Sequence, residues 1–133
     1  MLRVPTVLII VSALFVSACH HEAPTADADK AAAQFFERMK EAKYDLIYND
    51  SAAKFKEQNP RPTVMESLRT LAEMGRIAAW TRISMAIEQE GKYQVVKPVY
   101  NITTDQQLGE VTLKFIDEDG EWKLLGILVR HRR

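Results

Sequence analysis

The sequence of 133 residues contains one cysteine, Cys19, and no excess charge of either sign. A single cysteine excludes an intramolecular disulfide, so the folded part must be held together by packing alone. Eighteen basic and eighteen acidic residues balance, whereas nucleic-acid binding favours a strongly basic face. The apolar stretch from Val7 to Val16 is shorter than the roughly 20 residues that span a bilayer as a permanent helix. These absences exclude a disulfide scaffold and argue against a nucleic-acid partner.

The residues that lead to Cys19 form the most specific pattern in the chain. Arg3 supplies a positive charge, the apolar stretch follows, and Ser17 and Ala18 are small enough for a signal-peptide cleavage site. The run Val16-Ser17-Ala18-Cys19 resembles the lipobox of a bacterial lipoprotein. In that family the cysteine receives a diacylglyceryl group and becomes the first residue of the mature protein. The resemblance implies lipid attachment at Cys19, with membrane lipid as a partner; the alternatives are an uncleaved anchor or an ordinary secretory signal.

The residue after Cys19 bears on location. In the sorting pattern of Gram-negative lipoproteins an Asp at this position favours the inner membrane, and here the residue is His20. The resemblance therefore implies a lipid-anchored protein of the cell envelope, in the outer membrane and facing the periplasm. His20 and His21 are adjacent and have no third ligand nearby, so we predict no metal site and no cofactor.

The chain is long enough for one domain. We predict a signal peptide over residues 1–18, a flexible tether over 19–28, a single domain over 29–130 and a basic tail over 131–133. The tail has two interpretations, a frayed terminus or a contact with anionic lipid headgroups.

The first half of the domain has helical periodicity. Apolar residues recur on one helix face from residue 29 onward (Ala31, Ala32, Phe35, Phe36, Met39 and Ala42). The phase shifts near Lys43, which predicts a break, and a second helical segment then runs to Phe55. After a proline-rich stop, Thr63 and Glu66 predict a capping box at the start of another helix, which Gly75 ends.

The second half has the alternation of strands. After Trp80 the pattern places six apolar residues inward (Ile83, Met85, Ile87, Val111, Leu113 and Phe115). Turns are predicted at Glu90-Gly91 and in Asp117-Glu118-Asp119-Gly120, an irregularity at Pro98 and a bend at Gly126. The last strand, 122–129, is apolar on both phases, which predicts a central strand covered on both faces. The fold class is therefore α+β, with N-terminal helices packed on a curved antiparallel sheet of about four strands.

Three segments carry a resemblance to a known superfamily. The Ala-rich first helix, the second helical segment KEAKYDLIYNDSAAKF and the closing hairpin GEVTLKFIDEDGEWKLLGILVR are similar to the nuclear transport factor 2-like (NTF2-like), or cystatin-like, superfamily. That resemblance covers most of residues 29–130 and implies a cone whose helices and sheet enclose a pocket. The residues expected to line it are Phe35, Met39, Tyr48, Met85, Tyr100, Phe115 and Trp122.

Two classes of function are consistent with such a cone. Some members are isomerase- or cyclase-type enzymes that use an Asp base with a Tyr or acidic donor, for which the candidates here are Tyr44, Asp45, Tyr48, Asp50 and Tyr100. The inward strand positions, however, are apolar, and Asp45 points about 100° away from Tyr44 on a helix. We therefore expect no catalytic residue and a non-catalytic binding or interaction module. Its partner would be a protein, an apolar small molecule, or a second copy in a homodimer through the sheet.

Overall fold

The computed structural model describes residues 24–132, in which four helices precede four strands. The helices are α1 (Pro24–Lys40), α2 (Tyr44–Asn49), α3 (Ala53–Gln58) and α4 (Arg61–Ala72), and the strands are β1 (Ile77–Glu90), β2 (Tyr93–Thr104), β3 (Leu108–Glu118) and β4 (Glu121–His131). The strands form one curved antiparallel sheet, so the predicted α+β class is confirmed. Cys19 and the leader lie outside the described residues. Within the described part, no helix has the length and apolar character needed to cross a membrane.

Helix α1 begins earlier than the sequence pattern predicts. It starts at Pro24, so residues 24–28, expected in a flexible tether, are helical instead. Proline is favoured in the first turn of a helix, where its missing N–H would be unpaired in any case. Ala28 is fully buried, which ties this turn to the core. Five residue steps separate Cys19 from Pro24, a reach of at most about 18 Å.

The second helical segment is interrupted twice rather than once. The predicted break near Lys43 is present, and Ala42 adopts a left-handed φ of 55° there. A second break separates α2 from α3, where the Ser51 hydroxyl donates to the carbonyl of Tyr48 at 2.5 Å. Such local side-chain bonds compete with helical hydrogen bonding. The segment is therefore two short helices instead of one.

The start of α4 corrects the predicted capping box. The helix begins at Arg61 with Pro60 at the N-cap, so Thr63 lies inside the first turn and does not cap it. Pro62 is compatible with that turn because the first helical N–H groups need no partner within the helix. The carboxylate of Glu66 instead pairs with Arg69 at 2.7 Å. Beyond α4, Gly75 has a φ of +109° and ends the helical region as predicted.

The sheet is a meander in the order β1-β2-β3-β4. Each strand pairs with the next through a short turn, so the first and last strands are its edges. The prediction that the last strand is central was therefore wrong: β4 is an edge strand, and Leu128 on it is 52% exposed. Both predicted hairpin turns are present, with positive φ at Gly91, Asp119 and Gly120.

Strand irregularities occur near the two predicted positions. The β2–β3 pairing is interrupted between the pairs Val96–Phe115 and Val99–Thr112, a gap that contains Pro98. Proline has no N–H to give to the ladder. In β4 the register shifts next to Gly126, between its partner Lys114 and Phe115.

The two faces of the sheet are distinguished by the helices. We call the side against which α1 packs the helical face and the other side the outer face. Arg82 lies opposite Tyr100 and Ser84 opposite Val99, so Ile83 is an extra residue at a bulge between them. This bulge changes the phase of β1 and leaves Ile83 47% exposed.

The predicted inward positions are therefore only partly right. Val111, Leu113 and Phe115 are buried in the core. Ile83, by contrast, was wrongly placed inward, and Ile87 is on the predicted face without being buried. Ile87 lies opposite Val96, near the end of the long β1–β2 hairpin, and is 49% exposed.

Candidate functional site

An aromatic cluster fills the space between α1 and the sheet. Phe36 is fully buried and stacks on Trp80 with ring centroids 5.1 Å apart. It makes edge-to-face contacts with Phe35 and with Tyr100, each at 5.3 Å. Aromatic pairs at these separations contribute about 0.5–1.5 kcal/mol beyond their buried area. The cluster therefore occupies the region in which a cone-shaped pocket was expected.

A hydrogen-bonded polar group lies beside this cluster. The Tyr100 hydroxyl donates to Asp29 Oδ1 at 2.7 Å, and the other oxygen of Asp29 is 3.3 Å from the Arg82 guanidinium. Burial, followed by the hydrogen bond to Asp29, raises the pKa of Tyr100 well above its ordinary value of 10.0. The three side chains join α1 to β1 and β2. Of the three, only Tyr100 is buried, while the side chains of Arg82 and Asp29 are 33% and 41% exposed, so the link is partly open to solvent and keeps the tyrosine protonated.

Small cavities lie under the helices of the described part of the chain. One, of about 80 Å³, lies between α3, α4 and β4 and is lined by Phe55, Asn59, Thr63, Val64, Ser67 and Ile127. Another, of about 40 Å³, is lined by Ala31, Gln34, Phe35, Arg38, Ile47, Asp50, Phe115, Trp122 and Leu124. A cavity needs roughly 10–15 Å³ to hold one water, and an engineered cavity that binds benzene measures about 150 Å³. Arg38 and Asp50 in this lining form an ion pair at 2.7 Å. Both cavities are large enough for water and smaller than one that binds benzene.

The larger hollows are open and lined by charged residues. A groove of about 650 Å³ lies between α3 and the two hairpin ends, with Lys54, Glu57, Lys92 and Glu118 among its lining residues. A second, of about 520 Å³, lies between α1 and the β3–β4 turn. A third, of about 200 Å³, lies beside the start of β1. Mixed charge distinguishes the first two grooves from the mostly apolar pockets that enclose small ligands, whereas the third is lined mainly by apolar residues together with Lys40 and Arg76.

The residues predicted to line one pocket are dispersed. Phe35, Phe115 and Trp122 do share the cavity of about 40 Å³. Met39 lines the 200 Å³ hollow instead. The remaining three line none of these hollows: Tyr48 lies under the guanidinium of Arg61 at 5.4 Å, Met85 is half-buried opposite Pro98, and Tyr100 is hydrogen-bonded to Asp29.

The acidic candidates for an isomerase-type site face solvent. Asp45 is 71% exposed and pairs with Arg61, while Asp50 is 58% exposed and pairs with Arg38. Neither carboxylate is hydrogen-bonded to a tyrosine hydroxyl; among the described residues, the acid that makes this bond is Asp29.

The spacing of Asp29 in the sequence could have identified it as a residue of the site, but an analysis that follows only apolar residues overlooks it. Asp29 precedes Phe36 by seven positions, which is two helical turns, so the two side chains lie on one face of α1. Asp29 is 41% exposed, so it lies at the margin of that apolar face, where its partner is the buried hydroxyl of Tyr100. Residues 24–132 include no group of three or more His, Cys, Asp or Glu side chains positioned to hold a metal ion.

The outer face carries ion pairs at one end and a mixed row of polar and apolar residues across its middle. Glu88–Lys97 and Glu90–Lys114 lie at 2.7 and 2.8 Å near the hairpin ends. The hydrogen bond from Lys114 holds the pKa of Glu90 below its ordinary value. Toward the middle, the register aligns Ser84, Val99, Thr112 and Leu128 in one row across the four strands.

The fold and the site together define an α+β domain with helices on a curved sheet and a filled interior. The sequence matches no protein-family model and no curated protein.

Proposed function

We propose that this protein is a bacterial lipoprotein, anchored through an acylated Cys19 and carrying a non-catalytic NTF2-like domain that serves as an interaction module. The site of action is the cell envelope, at the periplasmic side of the outer membrane. The lipobox-like run and the single cysteine support the anchor. The short reach from Cys19 to Pro24 would hold the domain close to the membrane surface.

The observation that carries the non-catalytic assignment is the filled interior. Phe36, Trp80 and Tyr100 occupy the space under α1, and the small cavities of about 40 and 80 Å³ are well below the roughly 150 Å³ of a cavity that binds benzene. Binding through the interior is therefore disfavoured, and binding through the sheet is favoured. Ile83, Ile87 and Leu128 are exposed on strands at the two edges. The partner class that fits is a protein, including a second copy of this chain.

A small NTF2-like enzyme is the second candidate, and one observation favours it. Tyr100 and Asp29 form an acid–tyrosine pair of the type used in proton chemistry. Tyr100, however, is only 3% exposed, and it borders none of the hollows described above. A general acid or base must come within hydrogen-bond reach of its substrate. The pair is better explained as the link between α1 and the sheet.

Mass spectrometry of the membrane-extracted protein tests the anchor. We expect a mature N-terminus at a diacylglyceryl-modified Cys19, and Cys19→Ala should release the protein from the membrane fraction. One acyl chain gives marginal binding and two give stable binding, so partial acylation should appear as partial release. Unmodified protein that starts at another residue would contradict the proposal.

Fractionation tests the location: His20→Asp should move the protein from the outer to the inner membrane.

Titration with benzene, followed by tryptophan fluorescence, tests the filled interior. Trp122 borders the cavity of about 40 Å³ and reports on its occupancy. We expect no saturable signal for the unmodified chain. Phe35→Ala is the matched control, because it enlarges the same cavity and should create benzene binding. Saturable binding without the substitution would show an interior open to ligands and would favour the enzyme.

A further inference from the structure

The free edge of β1 is the least protected backbone in the described structure. β1 pairs with β2 on one side only and is first in the sheet order. Apart from that ladder, the backbone of residues 78–90 makes no hydrogen bond to the rest of the described chain. Unpaired N–H and C=O groups along a strand edge are a template for another strand.

The side chains along this edge do little to prevent pairing. Between Trp80 and Ile87 there is no proline, lysine or glycine, and the one charged residue, Arg82, is engaged with Asp29. Ile83 and Ile87 are each about half exposed. Natural edge strands are usually blunted by lysine, proline or a covering segment. The bulge at Ile83 is the feature of β1 that could still hinder pairing with another strand. It divides β1 into two halves.

We propose that β1 pairs antiparallel with β1 of a second copy, so that the two sheets become continuous. Because of the bulge, Trp80 and Arg82 face the helices in the first half, whereas Met85 and Ile87 face them in the second. In an antiparallel pair, opposed residues must face the same side of the sheet. This condition is met when Trp80 lies opposite Ile87 of the second copy. Arg82 then lies opposite Met85 of that copy, and the two bulges meet at the two-fold axis.

The side chains are complementary in this register. Ile87, which extends beyond the helices, gains an apolar neighbour in Trp80 of the second copy, and the two Ile83 side chains meet near the axis. Arg76, just before the first half, comes beside Glu90 of the other copy at the end of the second, where it would join the ion pair between Glu90 and Lys114. The proposal rests on the interaction-module part of the proposed function and is independent of lipid attachment.

Disulfide trapping tests the register. In the full chain with Cys19→Ala, the pair Thr81→Cys and Ala86→Cys places thiols directly opposite each other across the axis. Opposed strand residues have Cα atoms about 4.5–5.5 Å apart, within disulfide range. The pair Thr81→Cys and Glu88→Cys is the control, displaced by two positions. We expect an oxidised dimer in the first variant only. Equal trapping in both, or none, would overturn the proposed pairing, and neither result would bear on acylation of Cys19.

Substitution of exposed residues tests the edge itself. For the chain with Cys19→Ala in detergent, we expect a protein mass of twice the chain mass of 15.2 kDa. Ile83→Lys with Ile87→Lys should return it to one chain mass, since lysine on an edge opposes pairing. Leu128→Lys, equally exposed but at the other edge, should leave the dimer intact. A monomer before substitution, or a dimer broken only by Leu128→Lys, would overturn the proposal.

Discussion

The two edges of the sheet differ in how the rest of the chain covers them. At β4 the backbone N–H of Ala52 donates to the carbonyl of Leu124 at 2.8 Å, and α3, which follows, contacts β4. Glu118, at the end of β3, accepts a hydrogen bond from the N–H of Ala53. At β1 the helices cover one face, through Phe36 and Asp29, and leave the edge free.

The covered edge of β4 contributes to the stability of the fold, whereas the free edge of β1 is available for interaction with another strand. The segment that joins α2 to α3 uses its backbone to pair part of the β4 edge, which removes a site at which another strand could add. β1 is held firmly by its face while its edge groups remain available. Edge protection is a property that natural sheets manage explicitly, so an edge left open is a candidate for recognition.

Removing the aromatic contact beneath β1 should have the largest effect on stability. Phe36→Ala should lower the free energy of unfolding by about 3–5 kcal/mol, because it leaves a cavity between Trp80 and Tyr100. Trp122→Ala, under β4, should have a smaller effect, about 3 kcal/mol, because Trp122 is only partly buried. Urea unfolding measures both. A larger loss for Trp122→Ala would show that the face of β4, not that of β1, anchors the sheet.

The start of β1 should be nearly as sensitive. Gly75 has a φ of +109°, and a Cβ there would lie 2.8 Å from Thr104 Oγ1 and would also collide with Asp105. Gly75→Ala should therefore lower the free energy of unfolding by about 2 kcal/mol. Gly91→Ala, at the far end of β1, is the control: its φ of 58° is also left-handed, but no atom lies within 4 Å. If the two variants unfold at the same urea concentration, the collision at Gly75 does not lower the free energy of unfolding.

The polar link under β1 should give a moderate effect that depends on pH. Tyr100→Phe removes the hydrogen bond to Asp29 and should lower the free energy of unfolding by about 1.5 kcal/mol near neutral pH. The pKa of Tyr100 is raised in the folded state, so this stabilisation is complete below the ordinary value of 10.0 and is lost as the pH rises above it. The unsubstituted chain should therefore lose stability above pH 10 faster than Tyr100→Phe. Parallel pH profiles would contradict a buried, protonated Tyr100.

The bend in β4 should tolerate substitution. A Cβ at Gly126 would meet the side chain of Lys114 at 3.5 Å, an ordinary contact, and its φ is not left-handed. Gly126→Ala should change the free energy of unfolding by no more than about 0.5 kcal/mol. A loss above about 1 kcal/mol would show that the irregularity in β4 requires glycine.

Local signals predicted much of the fold. The helical and strand periods, the turns at Gly91 and Gly120 and the irregularities at Pro98 and Gly126 each depend on a few neighbouring residues, which is why they could be read from the chain. The capping box failed because Pro60 and Pro62 impose an earlier helix start than Thr63. The inward assignment of Ile83 failed because Ile83 is itself the extra residue of the bulge, which the alternation of residue types does not reveal.

The candidate site depended more on long-range contacts. Asp29 and Tyr100 are 71 positions apart in sequence, and their hydrogen bond exists because α1 crosses β1 and β2. The predicted pocket did not form because Phe36 and Trp80, read from sequence only as apolar, pack into the same space. Periodicity identifies which face a side chain occupies, but it cannot say whether facing side chains leave a void.

The sequence by itself determined the period of each element, the α+β class and the position of the one cysteine in a lipobox-like run, since these depend on residue type and local spacing. Only the tertiary structure decided that the interior is filled, that Asp29 is the acid paired with a tyrosine, and that β4 is partly covered while β1 is open. The physical reason is that volume, burial and edge coverage arise from residues distant in the chain, whose joint packing no single segment encodes.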